Sequence, residues 1–302
     1  MDLSVIIVNY NTKDLLKACL DSLINNTNGI EYEVIVVDNS SSDGSGAMLK
    51  NEFPEVRIIF NRNNSGFAKA NNQGIKAAKG DNILLLNSDT VISDNCLYKV
   101  WQFSREREGA GIIGCKVLNP DRSLQYSCYH KPNLLSEIVV FTKGIIKNFW
   151  EPVTYYNKMK YWNHNQIRQV DCVSGCFFWI KKKIIDEIGL LDEGFFMFYE
   201  DAEFCLRLKL RSKCKVFYFP FAEIVHLKGG SGNIESSDYS TIKYSYMSAQ
   251  HFFDKCCGPA SKQIFIIICR FIWRCESFLF FLLKFSKKCS EKLLLLNQLQ
   301  SI

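Results

Sequence analysis

Four groups of residues in this 302-residue chain have the types and spacing to do chemistry together. Three apolar runs each end on a polar cluster: Asn9-Tyr10-Asn11 after residues 4–8, Asp38-Asn39-Ser40 after 33–37, and Asn87-Ser88-Asp89 after 82–86. Ligands of an open α/β sheet bind outside the carboxyl ends of its strands. Asp38 can there accept a hydrogen bond from a ribose hydroxyl or a base N–H. Asp89, at the end of a buried strand beside a short polar segment, suits Mg²⁺ or Mn²⁺ bridging a diphosphate. The fourth group is Glu200-Asp201, which opens a helix after Phe195-Phe196-Met197-Phe198-Tyr199. Such an aromatic run would partly desolvate a carboxylate and raise its pKa toward general-base duty. His226 follows a strand and precedes the Gly-Gly-Ser-Gly loop at 229–232, where it could ligate a metal on a closing segment. Each residue also has an ordinary use. Polar residues after strands form turns and caps, acids at a helix start complement its dipole, and a lone His is more often structural.

The elements that must hold these residues show as an alternation. Buried β-branched runs at 4–8, 33–37, 56–60 and 82–86 alternate with helical stretches at 13–24, 45–51 and 66–79. Alternation of this kind argues for a parallel sheet with right-handed crossovers. Further helices are expected at 94–107, 182–188, 200–211 and 240–253, and strands at 111–117, 173–180 and 215–219. Residues 119–169, with Pro120, Pro132 and Pro152, read as loops and short helices.

Composition narrows the class. Hydrophobic residues make up 47% and charged residues 23%, which excludes a disordered or fibrous chain. The 13 cysteines include no C-x-x-C, so neither a zinc ribbon nor a thioredoxin-type site is supported. They read as reduced thiols of a cytosolic protein, acting as small hydrophobes. No basic segment with an apolar run opens the sequence, so no secretory signal is expected. No G-x-G-x-x-G follows the first strand and no G-x-x-x-x-G-K-[ST] occurs, which disfavours a dinucleotide dehydrogenase and a P-loop NTPase. The formal charge is +6, of which residues 251–302 carry +5, so the rest is nearly neutral and no nucleic-acid partner is expected. Residues 264–296 are dense in Ile, Phe and Leu but offer no window of ~20 uncharged apolar residues for a spanning helix. On a helix, Arg270, Arg274, Ser277, Lys284, Lys288 and Lys292 form a stripe opposite a broad apolar face. That is the pattern of an interfacial membrane helix, and also of an amphipathic helix packed on the domain or on another subunit of a homo-oligomer. A domain of residues 1–255 followed by a basic amphipathic tail, 256–302, is the expected organisation.

In order along residues 3–232, the segments VIIVNYN, VIVVDNSSSDGS, NRNNSGFAKANNQGI, ILLLNSDT, VSGCFFWIKKKIIDEIGLLDEGFFMFYEDAEFCLRL and H-x-x-G-G-S resemble glycosyltransferase family 2. The branch they resemble most is the rhamnosyltransferase-like one that builds bacterial surface polysaccharides such as O-antigen and capsule. The resemblance implies an α/β fold of GT-A type, with a mostly parallel central sheet and helices on both faces, to which the tail pattern adds C-terminal amphipathic helices. It implies an inverting, metal-dependent transfer (Mg²⁺ or Mn²⁺) of a sugar, rhamnose first, from a dTDP- or UDP-linked donor to a hydroxyl of a lipid-linked glycan. With the reduced thiols and the basic tail, a cytoplasmic protein peripheral on the inner face of the cytoplasmic membrane is expected. Carried onto matching positions, Asp38 would hold the nucleoside, with Tyr10 and Asn11 near base and ribose. Asn64, Gly66, Phe67 and Asn71 would border the nucleotide and donor sugar, as would Asn87 and Ser88. Asp89 matches the last acid of the D-x-D motif, whose first position here is Asn87, a poorer ligand than a carboxylate. Asp201 matches the base of the E-D motif, with Glu200 positioning or assisting it, and His226 would complete the metal shell. Acceptor contacts would come from 119–170, with Asp121, Tyr126 and His130 as candidates. From another class, the same framework would suit a sugar-nucleotide-binding partner subunit without catalysis, against which the intact Asp89, Asp201 and His226 argue.

Overall fold

The computed structural model describes residues 1–141, 151–227 and 239–282. The chain forms two compact units, one of residues 1–131 and 158–233, the other of 132–157 and 234–302. The first unit holds strands β1 (Leu3–Asn9), β2 (Tyr32–Asp38), β3 (Arg57–Phe60), β4 (Asn82–Asn87), β5 (Thr90–Ile92), β6 (Ala110–Leu118), β7 (Leu124–Gln125), β8 (Cys128–Tyr129), β9 (Arg168–Val170), β10 (Cys172–Val173), β11 (Phe177–Lys181) and β12 (Lys215–His226). Its helices are α1 (Lys13–Asn25), α2 (Ser45–Glu52), α3 (Phe67–Ala77) and α4 (Cys96–Glu106). Next in the chain come α5 (Leu134–Phe141) and α6 (Glu151–Asn157) of the second unit. The first unit resumes with α7 (Lys182–Ile188) and α8 (Glu200–Arg211), and α9 (Tyr239–Cys257) and α10 (Pro259–Leu282) belong to the second. The compositional boundary at 255/256 falls in the last turn of α9.

The main sheet runs β3-β2-β1-β4-β11-β6-β12-β5, with β7 on β6 and β9 on β12. β1 is parallel to β2 and β4, and β2 to β3, as the alternation implies. β11 is antiparallel to both β4 and β6, so the sheet is mixed. The strands are near-continuous Val, Ile and Leu because helices cover both faces. Val5, Ile7, Val34, Val36, Leu84 and Leu86 join one core with Leu16 and Leu20 of α1, Leu49 of α2 and Val100 of α4. Ile6 points the other way, onto α3, where Gly74 lies so close that a Cβ would sit 2.4 Å from Ile6 Cγ2.

Three features depart from the sequence expectation. The apolar run 173–180 is not one strand. It breaks at Ser174-Gly175-Cys176, so that β10 pairs with β8 while β11 joins β4. The strand expected at 215–219 continues through Pro220 to His226. Proline lacks the ladder donor and sits at strand irregularities, and the register to β6 shifts between Phe219 and Glu223 to absorb it. The extension pairs Val225 with Val91 and His226 with Thr90, the residue after Asp89. Finally, residues 119–169 carry β7, β8 and the start of β9 besides α5 and α6. The described cysteines form no disulfides, and burial pushes the thiols of Cys19, Cys128 and Cys176 up to about 12.

In the second unit, α5 packs on α6 and α10, and α9 on α10. Phe265, Cys269 and Trp273, four residues apart, bury one face of α10 against Phe141, Tyr246 and Phe253. Trp273 Nε1 donates to Phe141 O at 2.9 Å. Another face of α10 exposes Ile264, Ile267 and Phe271, with Arg274 among them. No described helix is long and apolar enough to cross a membrane. The glycine loop at 229–232 and the basic positions Lys284, Lys288 and Lys292 lie outside the described residues.

Candidate active site

Hydrogen bonds tie the strand ends together. β1 and β2 stay in register to their last pair, Asn9 opposite Asp38. Fully buried Asn9 donates from Nδ2 to Asp38 Oδ2 at 2.7 Å and to Ser41 Oγ at 3.0 Å. Thr12 donates to Asn9 Oδ1 at 2.7 Å, so at the 2.9 Å contact between Thr12 and Ser88 the Ser88 hydroxyl is the donor. Asp38 Oδ1 accepts the Ser41 N–H at 2.9 Å. A carboxylate has about four lone-pair sites, so Asp38 keeps capacity for a ribose hydroxyl. Asn11 has φ 54° and accepts the Ser42 N–H on Oδ1 at 2.8 Å. The side chains of Asn11 and Ser88 are thus bonded into the framework, while Tyr10 is exposed.

The segment at 64–67 grips the aromatic run. Asn64 Oδ1 accepts the Gly66 N–H at 3.0 Å, and Asn39 Nδ2 donates to Gly66 O at 3.2 Å. At Gly66 φ is 84°, and a Cβ would lie 2.6 Å from Phe196 O. The Phe67 N–H donates to that same oxygen at 2.6 Å. Asn71 is buried and donates to Phe67 O at 3.0 Å, and its Oδ1 has no hydrogen-bond partner among the described residues.

Glu200 and Asp201 begin α8 directly after Phe198 and Tyr199, which have φ 71° and 68°. Such non-glycine residues cost ~1–3 kcal/mol each and gather at functional sites. Asp201 Oδ2 accepts the Gly175 N–H at 2.9 Å. Tyr129, held opposite Cys172 by the β8–β10 pairing, brings its hydroxyl to the same carboxylate. In the same turn, Cys176 O accepts the Asn87 N–H at 3.1 Å. Three residues therefore join the end of β4 to the base candidate, with the Phe67 ring 3.7 Å from where a Gly175 Cβ would be.

Burial raises the Asp201 pKa, and the Gly175 N–H and Tyr129 hydroxyl oppose that rise. Burial, and then the charge on Asp201, raises Glu200 to about 8. The Gly175 and Tyr129 donors favour the charge on Asp201, so of the two neighbouring acids Glu200 is the one that holds a proton more readily. A sign for stability follows. Glu200 binds its proton more tightly folded than unfolded, so its contribution to stability is full below about 4.5 and is lost as pH rises through about 8. Glu200→Gln, which imitates the neutral acid, is expected to flatten that fall. Thermal midpoints across the window measure it, and an unchanged slope would refute the assignment.

The β5–β12 pairing brings His226 Nε2 to 3.1 Å from Asp89 Oδ1, with Asn87 Nδ2 at 3.4 Å from the same nitrogen. His226 Nδ1 lies 2.8 Å from Gln125 Oε1. Asp89 is fully buried. Among the described residues no three or more His, Cys, Asp or Glu cluster as a metal cage. Mg²⁺ is commonly held by one or two carboxylates plus substrate phosphates and water, and Mn²⁺ takes similar oxygen ligands. Asp89 with His226 fits an ion of that kind completed by donor phosphates. Of the acceptor candidates, Asp121 accepts the Ser123 hydroxyl, and His130 lies 3.1 Å from Asp171 and 3.0 Å from the Tyr161 hydroxyl. Tyr126 is exposed, with Lys160 Nζ 5.4 Å from its ring centre.

Gly175, Tyr129 and Gln125 had no place in the sequence expectation, and Asn9 appeared there only as part of a cluster. Gly175 did carry a signal, since a glycine inside an apolar run marks a bulge or a close approach. Gln125 carried none, because His226 is 101 positions away.

Residues 4–189 match the family model described as glycosyl transferase family 2. Over 174 residues the chain is 36% identical to a poly(ribitol-phosphate) beta-glucosyltransferase of Bacillus spizizenii, a match covering 54% of this chain and 27% of that relative. It therefore spans about a quarter of that protein's length. Over 232 residues it is 26% identical to the rhamnosyltransferase WbbL of Escherichia coli, covering 74% of this chain and 82% of the relative. Among solved structures, S. aureus TarS 1-349 in complex with UDP-GlcNAc superposes with TM-score 0.53 and 16% identity over 90% of this chain and 71% of that one.

Proposed function

Because the chain belongs to glycosyl transferase family 2, with a fold of GT-A type, we propose that it transfers a sugar from a nucleoside-diphosphate donor to a hydroxyl of a growing surface glycan, inverting the anomeric carbon. The observation that carries this reading is the turn at 174–176, which ties Asp201 and the end of β4 into one site. Asp38 receives a ribose hydroxyl beside exposed Tyr10. The acceptor hydroxyl meets Asp201, whose carboxylate is oriented by the Gly175 N–H and Tyr129. Asp201 takes the proton as the oxygen attacks the anomeric carbon. Glu200, protonated, leaves Asp201 as the charged member of the pair. One in-line displacement needs no protein nucleophile. Asp89 and His226 would hold a divalent cation, Mg²⁺ or Mn²⁺, which when bound supplies positive charge to the leaving diphosphate.

Similarity to WbbL over most of that relative supports rhamnose as the first donor sugar to try. The TarS complex supports including UDP-linked sugars. The test is mass spectrometry of the purified chain with Mn²⁺, glycan acceptors and a panel of UDP- and dTDP-sugars. A product heavier by one sugar is expected, and neither transfer nor donor hydrolysis with any member would overturn the reading.

A lipid-linked acceptor at the inner face of the cytoplasmic membrane belongs to the same proposal. Its support is the exposed side of α10, where Ile264, Ile267 and Phe271 flank Arg274, an arrangement suited to an interfacial helix. The full chain is expected to sediment with anionic vesicles. The double substitution Ile267→Ser with Phe271→Ser should leave most of it in the supernatant, and equal sedimentation would defeat the idea.

A further inference from the structure

The direction of every hydrogen bond leading to His226 can be read from one end. Asp121 lies in the turn between β6 and β7, and its ionised carboxylate only accepts. The Ser123 hydroxyl donates to Asp121 Oδ1 at 2.6 Å, and the Ser123 N–H does so at 3.0 Å. These bonds hold the Asp121 carboxyl below its usual range. With its one hydrogen given, Ser123 Oγ can only accept from Asn119, so the Asn119 atom 2.9 Å away is Nδ2. That orients the Asn119 amide and leaves its Oδ1 to accept from Gln125 Nε2 at 3.0 Å. Gln125 then presents Oε1 to His226 Nδ1 at 2.8 Å. An amide oxygen cannot donate, so Nδ1 carries the imidazole hydrogen. In the neutral ring Nε2 then keeps its lone pair, and this is the nitrogen 3.1 Å from Asp89 Oδ1. Asn87 Nδ2, a donor 3.4 Å from Nε2, agrees with a lone pair there. The backbone holds the frame: Asn119 N–H donates to Ser123 O at 2.8 Å, and β7 pairs Gln125 with Val117 of β6.

We propose that Asp121, Ser123, Asn119 and Gln125 form a one-way hydrogen-bond relay that fixes His226 as its Nδ1–H tautomer and so presents its Nε2 lone pair, with Asp89, to a divalent cation. Gln125 is a positioning residue, acting through the imidazole it holds. The inference rests on the metal-assisted reading above. In the neutral imidazole a nitrogen lone pair and a carboxylate oxygen face each other, and a cation shared by the two relieves the opposition. The other tautomer would donate Nε2–H to Asp89 and withdraw both ligands from the metal together. Partners that orient a ligating histidine are worth ~10–100-fold in metal affinity.

The test uses the full chain labelled with ¹⁵N at histidine, without metal and above the imidazole pKa. His226 is assigned by the resonances lost in His226→Gln. Wild type and Gln125→Glu, whose carboxylate still accepts from Nδ1, are expected to show the Nδ1–H tautomer. Gln125→Leu is expected to shift toward Nε2–H and to bind Mn²⁺ ~10–100-fold more weakly by electron paramagnetic resonance titration, with unchanged circular dichroism. A wild-type His226 found as Nε2–H overturns the relay, and so does a folded Gln125→Leu chain that binds Mn²⁺ as tightly as wild type. A wild-type chain that shows the expected tautomer and a Gln125-dependent Mn²⁺ affinity, yet moves no sugar, upholds the relay and removes only the proposed function.

Discussion

Asp201→Asn is expected to fold normally, to bind Mn²⁺ as the wild type does, and to lose ~10²–10⁴-fold in transfer rate, the usual worth of a general base. The exchange is close to isosteric. The new amide can still accept the Gly175 N–H through its oxygen, so the bond at 2.9 Å that seats the side chain has a counterpart. What disappears is the capacity to take a proton from the acceptor hydroxyl. The substitution also removes the charge that, after burial, raises Glu200. Glu200 should then titrate at lower pH, and the loss of stability on its deprotonation should move to lower pH with it. Initial rates at saturating donor and acceptor measure the first effect, and thermal midpoints across pH the second. Near-normal transfer by a folded Asp201→Asn chain would place the base elsewhere.

Gly66→Ala should be the second large effect, although Gly66 carries no chemistry. Its φ of 84° with ψ of 171° is a conformation that side-chain-bearing residues avoid. The added Cβ would meet the Phe196 carbonyl at 2.6 Å, a backbone atom that has no rotamer by which to move aside. The strain is of order 1–3 kcal/mol, and it is relieved by pushing Phe195–Tyr199 away from the segment at 64–67. Those aromatic residues lead straight into Glu200 and Asp201. A displacement near 1 Å at reacting groups costs ~10²-fold. The expected result is a lower denaturation midpoint together with a fall in kcat of about that size. Gly109→Ala is the control, because a Cβ there meets nothing within 4 Å. If Gly66→Ala matched the control in both stability and rate, the grip between the two segments would be incidental.

The ends of β1, β2 and β4 were legible because each is a buried apolar run stopping at polar residues, a local pattern that needs no partner to be seen. Glu200-Asp201 was legible for the same reason, standing where an aromatic run meets a helical period. The grouping of Asp89 with His226 came from resemblance. Its physical cause, β12 running on through Pro220 to pair with β5, was hidden by a proline that usually ends a strand. Tyr129 lies on a two-residue strand paired with distant β10, and Gln125, though its strand pairs locally with β6, faces a histidine far along the chain, so no window of sequence contains the reason for either. The run at 173–180 misled because both halves are strand-like, and only the glycine between them told of a break.

The helical unit has a consequence for how the chain comes into being. α5 buries Ile138 and Val139 and receives the Trp273 indole, but its partners α9 and α10 begin only about 100 residues after it ends. At typical synthesis rates that interval is on the order of 5–20 s. During synthesis α5 therefore has only α6 of its partners to pack on for that interval, and the sheet-forming strands β9 to β12 are made meanwhile. The order of manufacture puts the catalytic strands first and closes the helical core last.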